Sequence, residues 1–201
     1  MDADFSIELG HEDPVLDFPW KDPSGKLAYV DVKRHPELMA QIEEAERFPE
    51  LKEFLSALNS VRSMVETAKC DTWHTEELNA DEDIYNASHK FASYVDVVFT
   101  EPDSNQTHGD KPSPRQSLPA HEHFARRLIE LLRRTPDTLS CVEICVRKCY
   151  CEDAGSINEG FYCTLYVNGY GSEAASSRQN WAVALKLTAN AIKQLSAYKV
   201  F

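Results

Sequence analysis

The sequence predicts an α+β fold: a mainly antiparallel sheet made of two ββα units, with helices on one face, preceded by an N-terminal hairpin and helix pair. Two observations predict it. Apolar and polar residues alternate along two pairs of segments, which is typical of strands with one buried face, and each pair is followed by an amphipathic helical pattern. Two such units pair their hairpins into one antiparallel sheet with both helices on one side. We expect a single domain over residues 1–201.

Residues 1–62 form the first predicted segment, a hairpin followed by a pair of helices after an irregular start. Two apolar runs flank Asp22-Pro23-Ser24-Gly25, in which the proline and the glycine suit the second and fourth positions of a type I turn. His35-Pro36 then opens a helix, because proline is favoured in the first helical turn. An apolar stripe that restarts at Pro49 continues the helices to the end of the segment.

Residues 63–135 form the first predicted ββα unit. Its expected elements are a strand over 64–77, a strand over 90–101 and a helix over 117–134. Thr135-Pro136 ends the apolar stripe of the helix. The loop over 102–116 contains three prolines and almost no apolar residues, so we expect it to be mobile.

Residues 136–201 form the second predicted ββα unit. Its expected elements are a strand over 139–152, a strand over 160–171 and a helix over 177–197. The helix follows Ser176-Ser177-Arg178-Gln179, which has the pattern of a capping box. Residues 161–167 are similar in pattern to residues 91–97. Either an internal duplication or a chance likeness of two amphipathic stretches explains the two units.

Composition and charge disfavour two classes of protein. The chain has 33 acidic and 21 basic residues, which gives a net charge of −12 at pH 7. This excess of acid disfavours a nucleic-acid-binding protein, because affinity for phosphates depends on lysine and arginine. No stretch approaches the roughly 20 apolar residues that span a bilayer. The first residues lack the pattern of a signal peptide, so we expect a cytoplasmic protein that does not bind membranes.

Six cysteines in a cytoplasmic protein are expected to be thiols. Four of them lie within the run CVEICVRKCYC, which predicts a strand in which alternate residues share a face. Only Cys149 and Cys151 are then close enough to bind one ion together, with Cys163 from a neighbouring strand. We favour buried packing of the thiols over a structural metal site.

Strand parity separates an apolar sheet face, predicted to carry the helices, from a second face rich in tyrosine, threonine, cysteine and isolated charges. Three roles are open for this second face. The first is that the N-terminal hairpin and helix pair cover this face. The second is that it forms a homodimer interface, and the third is that it lines a ligand-binding groove. Its candidate contact residues are Tyr94, Asp96, Glu143, Arg147, Tyr162, Tyr166 and Asn168.

A metal centre is the second candidate site. His74 and Glu76 share a strand face, and imidazole together with carboxylate suits a divalent ion such as zinc or manganese. Asp81, Glu82 and Asp83 follow in the loop, and His121 or His123 supplies a third ligand only if the fold brings the start of that helix near. Ordinary polar residues at the end of a strand are the alternative interpretation.

The function that we expect is that of a non-catalytic binding or accessory protein. It would contact a protein partner or a second copy of itself through its acidic surface and its tyrosine-rich sheet face. Residues 1–60 alone carry 14 acidic and 6 basic side chains. The sequence has no nucleophile elbow, Walker loop or dinucleotide fingerprint, so the divalent metal is the one cofactor left open. The alternatives are a metal-dependent hydrolase at His74 and Glu76 and an acidic inhibitor or immunity-type protein.

Overall fold

The computed structural model describes residues 1–78, 85–101, 113–153 and 155–198, in which helices pack on a six-stranded sheet. The strands are β1 (Asp2–Glu8), β2 (Leu16–Phe18), β3 (Val65–Thr75), β4 (His89–Phe99), β5 (Ser140–Asp153) and β6 (Ser156–Gly171). Their order in the sheet is β1-β5-β6-β4-β3, and β2 also pairs with β5. Neighbouring strands are antiparallel, except that β1 and β2 run parallel to β5. The predicted α+β fold with a mainly antiparallel sheet is confirmed.

The helices are α1 (Glu43–Arg47), α2 (Pro49–Leu58), α3 (Leu118–Leu132) and α4 (Ala174–Ala197), with 3₁₀ turns at Pro36–Gln41 and Pro114–Gln116. Phe48 interrupts the predicted helix pair with an extended backbone, and Pro49 then occupies the first turn of α2. α4 begins earlier than predicted, because the N–H of Glu173 donates to Ser176 Oγ at 3.2 Å and Ser176 thus belongs to the first turn. Within the described chain, no helix is both long and apolar enough to span a membrane.

The two predicted strand pairs join into one sheet. β3 and β4 form one hairpin, β5 and β6 form the other, and the hairpins meet through antiparallel pairing of β4 with β6. Their origin by duplication stays a prediction. Residues 102–112, which make up most of the loop that we expect to be mobile, lie outside the described residues.

The predicted irregular start is wrong, because the first residues form the edge strand β1. Ala3 lies beside Val142 and Phe5 lies beside Ile144, so β1 extends the apolar face of the sheet. Phe5 also packs under Arg126 of α3, whose guanidinium carbon is 5.1 Å from the ring centroid. The alternate residues of β1 are acidic or polar and lie on the other face.

The predicted N-terminal hairpin is present only around its turn. The N–H of Gly25 donates to the carbonyl of Asp22 at 2.9 Å, and one antiparallel bridge joins Lys21 to Ala28. The first arm leaves the hairpin because residues 16–18 form β2 and commit their backbone to β5. In the described chain, the second arm therefore pairs only with residues 20–22, where the N–H of Asp22 donates to the Leu27 carbonyl at 2.9 Å and the N–H of Tyr29 donates to the Trp20 carbonyl at 2.8 Å.

The main core lies between one face of the sheet and the helices α2, α3 and α4. Trp181 of α4 is fully buried against Phe91, and its indole N–H donates to Ser93 Oγ at 2.9 Å. Gly169 of β6 lets α4 approach closely, because a Cβ at this position would lie 2.1 Å from the backbone nitrogen of Trp181. Phe54 of α2 packs in this same core. The helix pair therefore adds to the helix layer and does not cover the second face, contrary to one of our expectations.

Candidate functional site

The second face of the sheet, which points away from the helices, contains all seven candidate contact residues. They are Tyr94 and Asp96 on β4, Glu143 and Arg147 on β5, and Tyr162, Tyr166 and Asn168 on β6. Their exposure differs: Tyr94, Tyr166 and Glu143 reach the surface, whereas the other four are buried. Asn168, for example, donates from its side-chain amide to Cys141 Sγ at 3.5 Å within the sheet.

Residues 16–29 cover one half of the second face, which we call the covered half. The cluster that they form comprises Leu16, Phe18, Ala68, Val98, Cys149, Cys151 and Tyr162, with Trp20 and Tyr29 packed against it. The Trp20 indole N–H donates to the Ala68 carbonyl at 2.6 Å, and the Tyr29 hydroxyl donates to Glu66 Oε2 at 3.2 Å. Tyr162 is only 3% exposed beneath this segment and so is not available to a partner.

A chain of hydrogen-bonded polar side chains crosses four strands beside the covered half. Arg147 Nε donates to Glu8 Oε2 at 2.8 Å, and Arg147 Nη1 donates to Thr164 Oγ1 at 3.0 Å. The Thr164 hydroxyl donates in turn to Asp96 Oδ1 at 2.6 Å. We call Glu8, Arg147, Thr164 and Asp96 the polar row. Because each member has a partner within the row, the row ties the strands together.

Asp96 is the member of the polar row whose pKa is shifted toward neutral pH. Burial raises the pKa of its carboxyl group to about 6. The Thr164 hydroxyl, Lys69 and Arg147 oppose this shift, because each of them favours the carboxylate. Burial therefore outweighs a hydrogen bond and two nearby cations.

The uncovered half carries a row of five residues in direct cross-strand register, one from each of five strands. In sheet order they are Asp71, Tyr94, Tyr166, Glu143 and Asp4, and we call them the open row. The ring centroids of Tyr94 and Tyr166 are 6.3 Å apart, which is within the range of interacting aromatic rings. Trp73 extends this aromatic surface at 6.5 Å from Tyr94. Two tyrosines are thus flanked by carboxylates on both sides.

Sequence reasoning misses three residues of this surface. Asp4 belongs to β1, whose alternation of apolar and polar residues was the available signal. Asp71 and Trp73 lie on the second face because a β-bulge between Thr67 and Lys69 shifts the register of β3. This bulge contains no glycine, so the residue types do not indicate it.

An acidic groove of about 440 Å³ runs beside the open row, between β1 and β5. Asp2, Asp4, Glu8 and Glu143 line it with their carboxylates. Asp4 and Glu143 are direct cross-strand neighbours, and like charges in that position repel each other. Exposed Arg133 approaches Asp4 only to 3.8 Å. Because Arg147 pairs with Glu8, the negative charge that the groove offers to a binding partner comes from Asp2, Asp4 and Glu143.

The candidate metal ligands His74 and Glu76 lie near the end of β3, and the structure adds His89 to them. His74 Nε2 is 3.1 Å from His89 Nδ1, and Glu76 Oε1 is 3.8 Å from the same His89 nitrogen. The first distance is that of a hydrogen bond between two imidazoles. Among the described residues, no three His, Cys, Asp or Glu side chains are arranged to hold a metal ion. The further expected ligands Asp81, Glu82 and Asp83 lie outside the described residues.

The fold does not bring the start of α3 near this metal site, so the condition for a ligand from His121 or His123 is not met. His121 is buried with its ring centroid 4.3 Å from Phe99 and 5.8 Å from Phe161, and His123 follows it on the same helix. Phe99 ends β4 and His89 begins it, about 33 Å away for a strand that rises about 3.3 Å per residue. The two ends of the sheet are too far apart for one metal ion to join them.

The six cysteines are all free thiols. Cys149 and Cys151 lie side by side on the second face, with their Sγ atoms 3.4 Å apart. Cys163 does not join them, because it packs in the helix-covered core together with Leu165 and Val167. The three thiols are therefore not grouped as the disfavoured metal site would require. The favoured prediction of packed thiols is confirmed, because five of the six cysteines are buried and Cys70 is half-buried.

The second face thus combines the open row, the acidic groove and the polar row. No protein-family model, curated protein or solved structure matches the chain.

Proposed function

We propose that the protein is a non-catalytic binding protein whose open row and acidic groove contact a positively charged surface of a protein partner. The observation that carries this proposal is the open row, in which Tyr94 and Tyr166 lie between the carboxylates of Asp71 and Glu143. Tyrosine is enriched in protein interfaces because it buries a large apolar area and keeps a polar end. A lysine or arginine side chain can pack over a tyrosine ring while it pairs with a neighbouring carboxylate.

Charge favours a basic partner over a second copy of the same chain. The net charge is −12, and Asp4 faces Glu143 across two neighbouring strands. Two copies that met through this face would bring their carboxylates together, which is unfavourable once water is excluded. A cationic partner would instead relieve the repulsion within the groove. Self-association through the open row is therefore the less favoured form of the proposal.

The charged residues of the polar row, which lie beside the open row on the same face, support a binding role because their hydrogen bonds are made within the protein. Arg147 and Asp96 are buried, and both are hydrogen-bonded within the polar row. Arg147 Nη1 also donates to the Tyr166 hydroxyl at 3.2 Å and so orients this tyrosine. We therefore assign the contacts to Tyr94, Tyr166 and Glu143, and a positioning role to Arg147. An inhibitor or immunity-type protein is the narrower form of this proposal, in which binding blocks a basic partner.

A short peptide rich in lysine and arginine is a defined probe for the test. We expect its addition to the ¹⁵N-labelled full chain to shift the amide resonances around Tyr166 and Glu143, and the affinity to fall as salt screens the charges over about 8 Å at physiological ionic strength. Tyr166→Ala and Glu143→Gln should each weaken binding about tenfold, which corresponds to roughly 1.4 kcal/mol.

The matched control for this experiment is Glu53→Gln, which removes an exposed carboxylate from α2 on the helix side of the molecule. It should leave the affinity for the peptide unchanged. Resonance shifts confined to the helix side, or an equal loss of affinity in the control, would contradict the proposal.

A further inference from the structure

We infer that Cys149 and Cys151 form a redox-active dithiol, which a peroxide converts reversibly into a disulfide. The two residues are next neighbours on one face of β5, and their Sγ atoms are 3.4 Å apart. Cα atoms two residues apart on an extended strand are separated by about 6.6 Å. That separation lies at the long end of the range of about 4.4–6.8 Å that disulfides bridge, so a bond between them forms with strain and is readily reduced.

The two thiols have different surroundings. Cys149 is fully buried in the covered half, whereas Cys151 lines a cavity of about 170 Å³ together with Arg115. Arg115 is held in place because its Nη2 donates to Glu66 Oε1 at 2.7 Å and its Nε donates to the Phe99 carbonyl at 3.0 Å. A fixed cation therefore stands beside the thiol that borders the cavity.

This asymmetry assigns the roles of the two thiols. The hydrogen bond between the two thiols lowers the pKa of Cys151 against the effects of burial and of the Glu101 carboxylate, and the charge of Arg115 lowers it further. The pKa of Cys149 is raised by the same hydrogen bond and by burial. Cys151 is thus the thiolate that attacks an oxidant, and Cys149 is the thiol that resolves the product.

Gly160 keeps space for this arrangement. It lies opposite Cys149 on β6, and a Cβ there would stand 3.4 Å from Cys149 Sγ and 2.9 Å from the Arg115 carbonyl oxygen. A larger residue would push the Arg115 segment away from the thiols. The glycine therefore lets the cation and both sulfur atoms lie within one small volume.

Oxidation of the two thiols by a peroxide takes two steps. The Cys151 thiolate attacks one oxygen of the peroxide, an S–O bond forms, the O–O bond breaks, and the departing oxygen takes up a proton. The Cys149 thiol then attacks the sulfur of the sulfenic acid, an S–S bond forms, and the hydroxyl group leaves with the Cys149 proton as water. Two thiols are oxidised by two electrons, and one peroxide is reduced to an alcohol or water and one further water.

The test treats the reduced full chain with a small excess of hydrogen peroxide, blocks the remaining thiols with N-ethylmaleimide and maps the products by mass spectrometry. We expect the intact chain to lose two hydrogen atoms, and the peptide that contains Cys149 and Cys151 to be the one that escapes alkylation until dithiothreitol is added. Oxidation that begins at Cys70, a link to a different cysteine, or no loss of thiols would overturn the inference.

Three variants separate the roles of the thiols. Cys149→Ser should stop at a sulfenic acid on Cys151 that a cyclic 1,3-diketone captures, and Cys151→Ser should leave Cys149 reduced. The matched control is Cys145→Ser on the same strand face, because the neighbour of Cys145 Sγ is the Ser6 hydroxyl at 3.4 Å and not a thiol. It should form the Cys149–Cys151 link at the wild-type rate. The oxidation products of the wild-type chain test the dithiol even if a substitution prevents folding.

Discussion

Asp96 and His121 are buried titratable residues whose pKa values are shifted in opposite directions, and both shifts favour the neutral form. Burial raises the pKa of Asp96 from 3.8 to about 6 and lowers that of His121 from 6.5 to about 4. For Asp96, the folded chain keeps a proton that the unfolded chain loses, so its contribution to stability falls as the pH rises through this window. For His121, the unfolded chain takes up the proton first, so stability falls as the pH drops from 6.5 to about 4.

Asp96→Asn removes the carboxyl group and keeps an oxygen that accepts from Thr164. Between pH 4 and pH 7, the free energy of unfolding of the wild type should fall relative to that of the variant by on the order of 3 kcal/mol. Urea unfolding at several pH values measures this difference. Asp71→Asn, the same change at an exposed position on the same face, should give a difference that does not depend on pH. A pH-independent difference for Asp96→Asn as well would show that burial of this carboxyl group has no effect on its titration.

His121→Gln removes the imidazole and keeps a side-chain donor for the Ser117 carbonyl, which His121 Nδ1 meets at 2.9 Å. The variant should lose less stability than the wild type on acidification from pH 6.5 to pH 4, by on the order of 3 kcal/mol. His123→Gln on the exposed side of α3 is the control and should follow the wild type. Parallel pH profiles of all three proteins would contradict the prediction.

At the scale of elements, periodicity predicts most of the fold. The strands β3–β6 and the helices α3 and α4 lie close to their predicted positions, because each buries one face and the residue pattern records that burial. The residue pattern of α2 predicts that the helix has an apolar stripe, but it does not predict which face of the sheet this stripe packs against. The residue pattern also does not predict the strand that pairs with β1, because that strand lies 139 residues further along the chain.

The candidate site is also predicted only in part, because periodicity shows which residues share a face but not what packs against that face. Parity along a regular strand places Tyr94, Tyr166 and Glu143 together on the second face. It cannot tell that Asp96 and Arg147 are buried, because their burial depends on hydrogen bonds between four strands. The bulge in β3 reverses parity from one residue to the next, and no residue type marks it.

The contact between α4 and β6 makes a prediction about an element. Gly169→Ala would place a methyl group 2.1 Å from the backbone nitrogen of Trp181, and a backbone atom cannot move aside as a flexible side chain can. We expect α4 to be displaced and the free energy of unfolding to fall by about 3 kcal/mol. Chemical denaturation measures this loss. Gly10→Ala is the control, because the added methyl group meets only the Asp13 side chain, and an equal loss there would refute the explanation.

At the scale of the whole molecule, strands from distant parts of the sequence form one sheet. β1 and β2 come from the first residues of the chain, and both pair with β5. The acidic groove exists only because β1 lies beside β5, and the covered half exists only because β2 does. The surface features on both halves of the second face therefore depend on long-range pairing.

This pairing also means that, during synthesis of the chain, β1 is made well before its partner β5. Glu8 and Arg147, which end in contact, are 139 residues apart in sequence. At about 5–20 residues per second, roughly 7–28 s of synthesis separate the two. During that interval the first strand has no partner within its own chain, and its exposed backbone could pair with other nascent chains. Carboxylates at alternate positions of β1 oppose such contacts, so we expect the acids that line the groove of the finished protein also to limit aggregation of the unfinished chain.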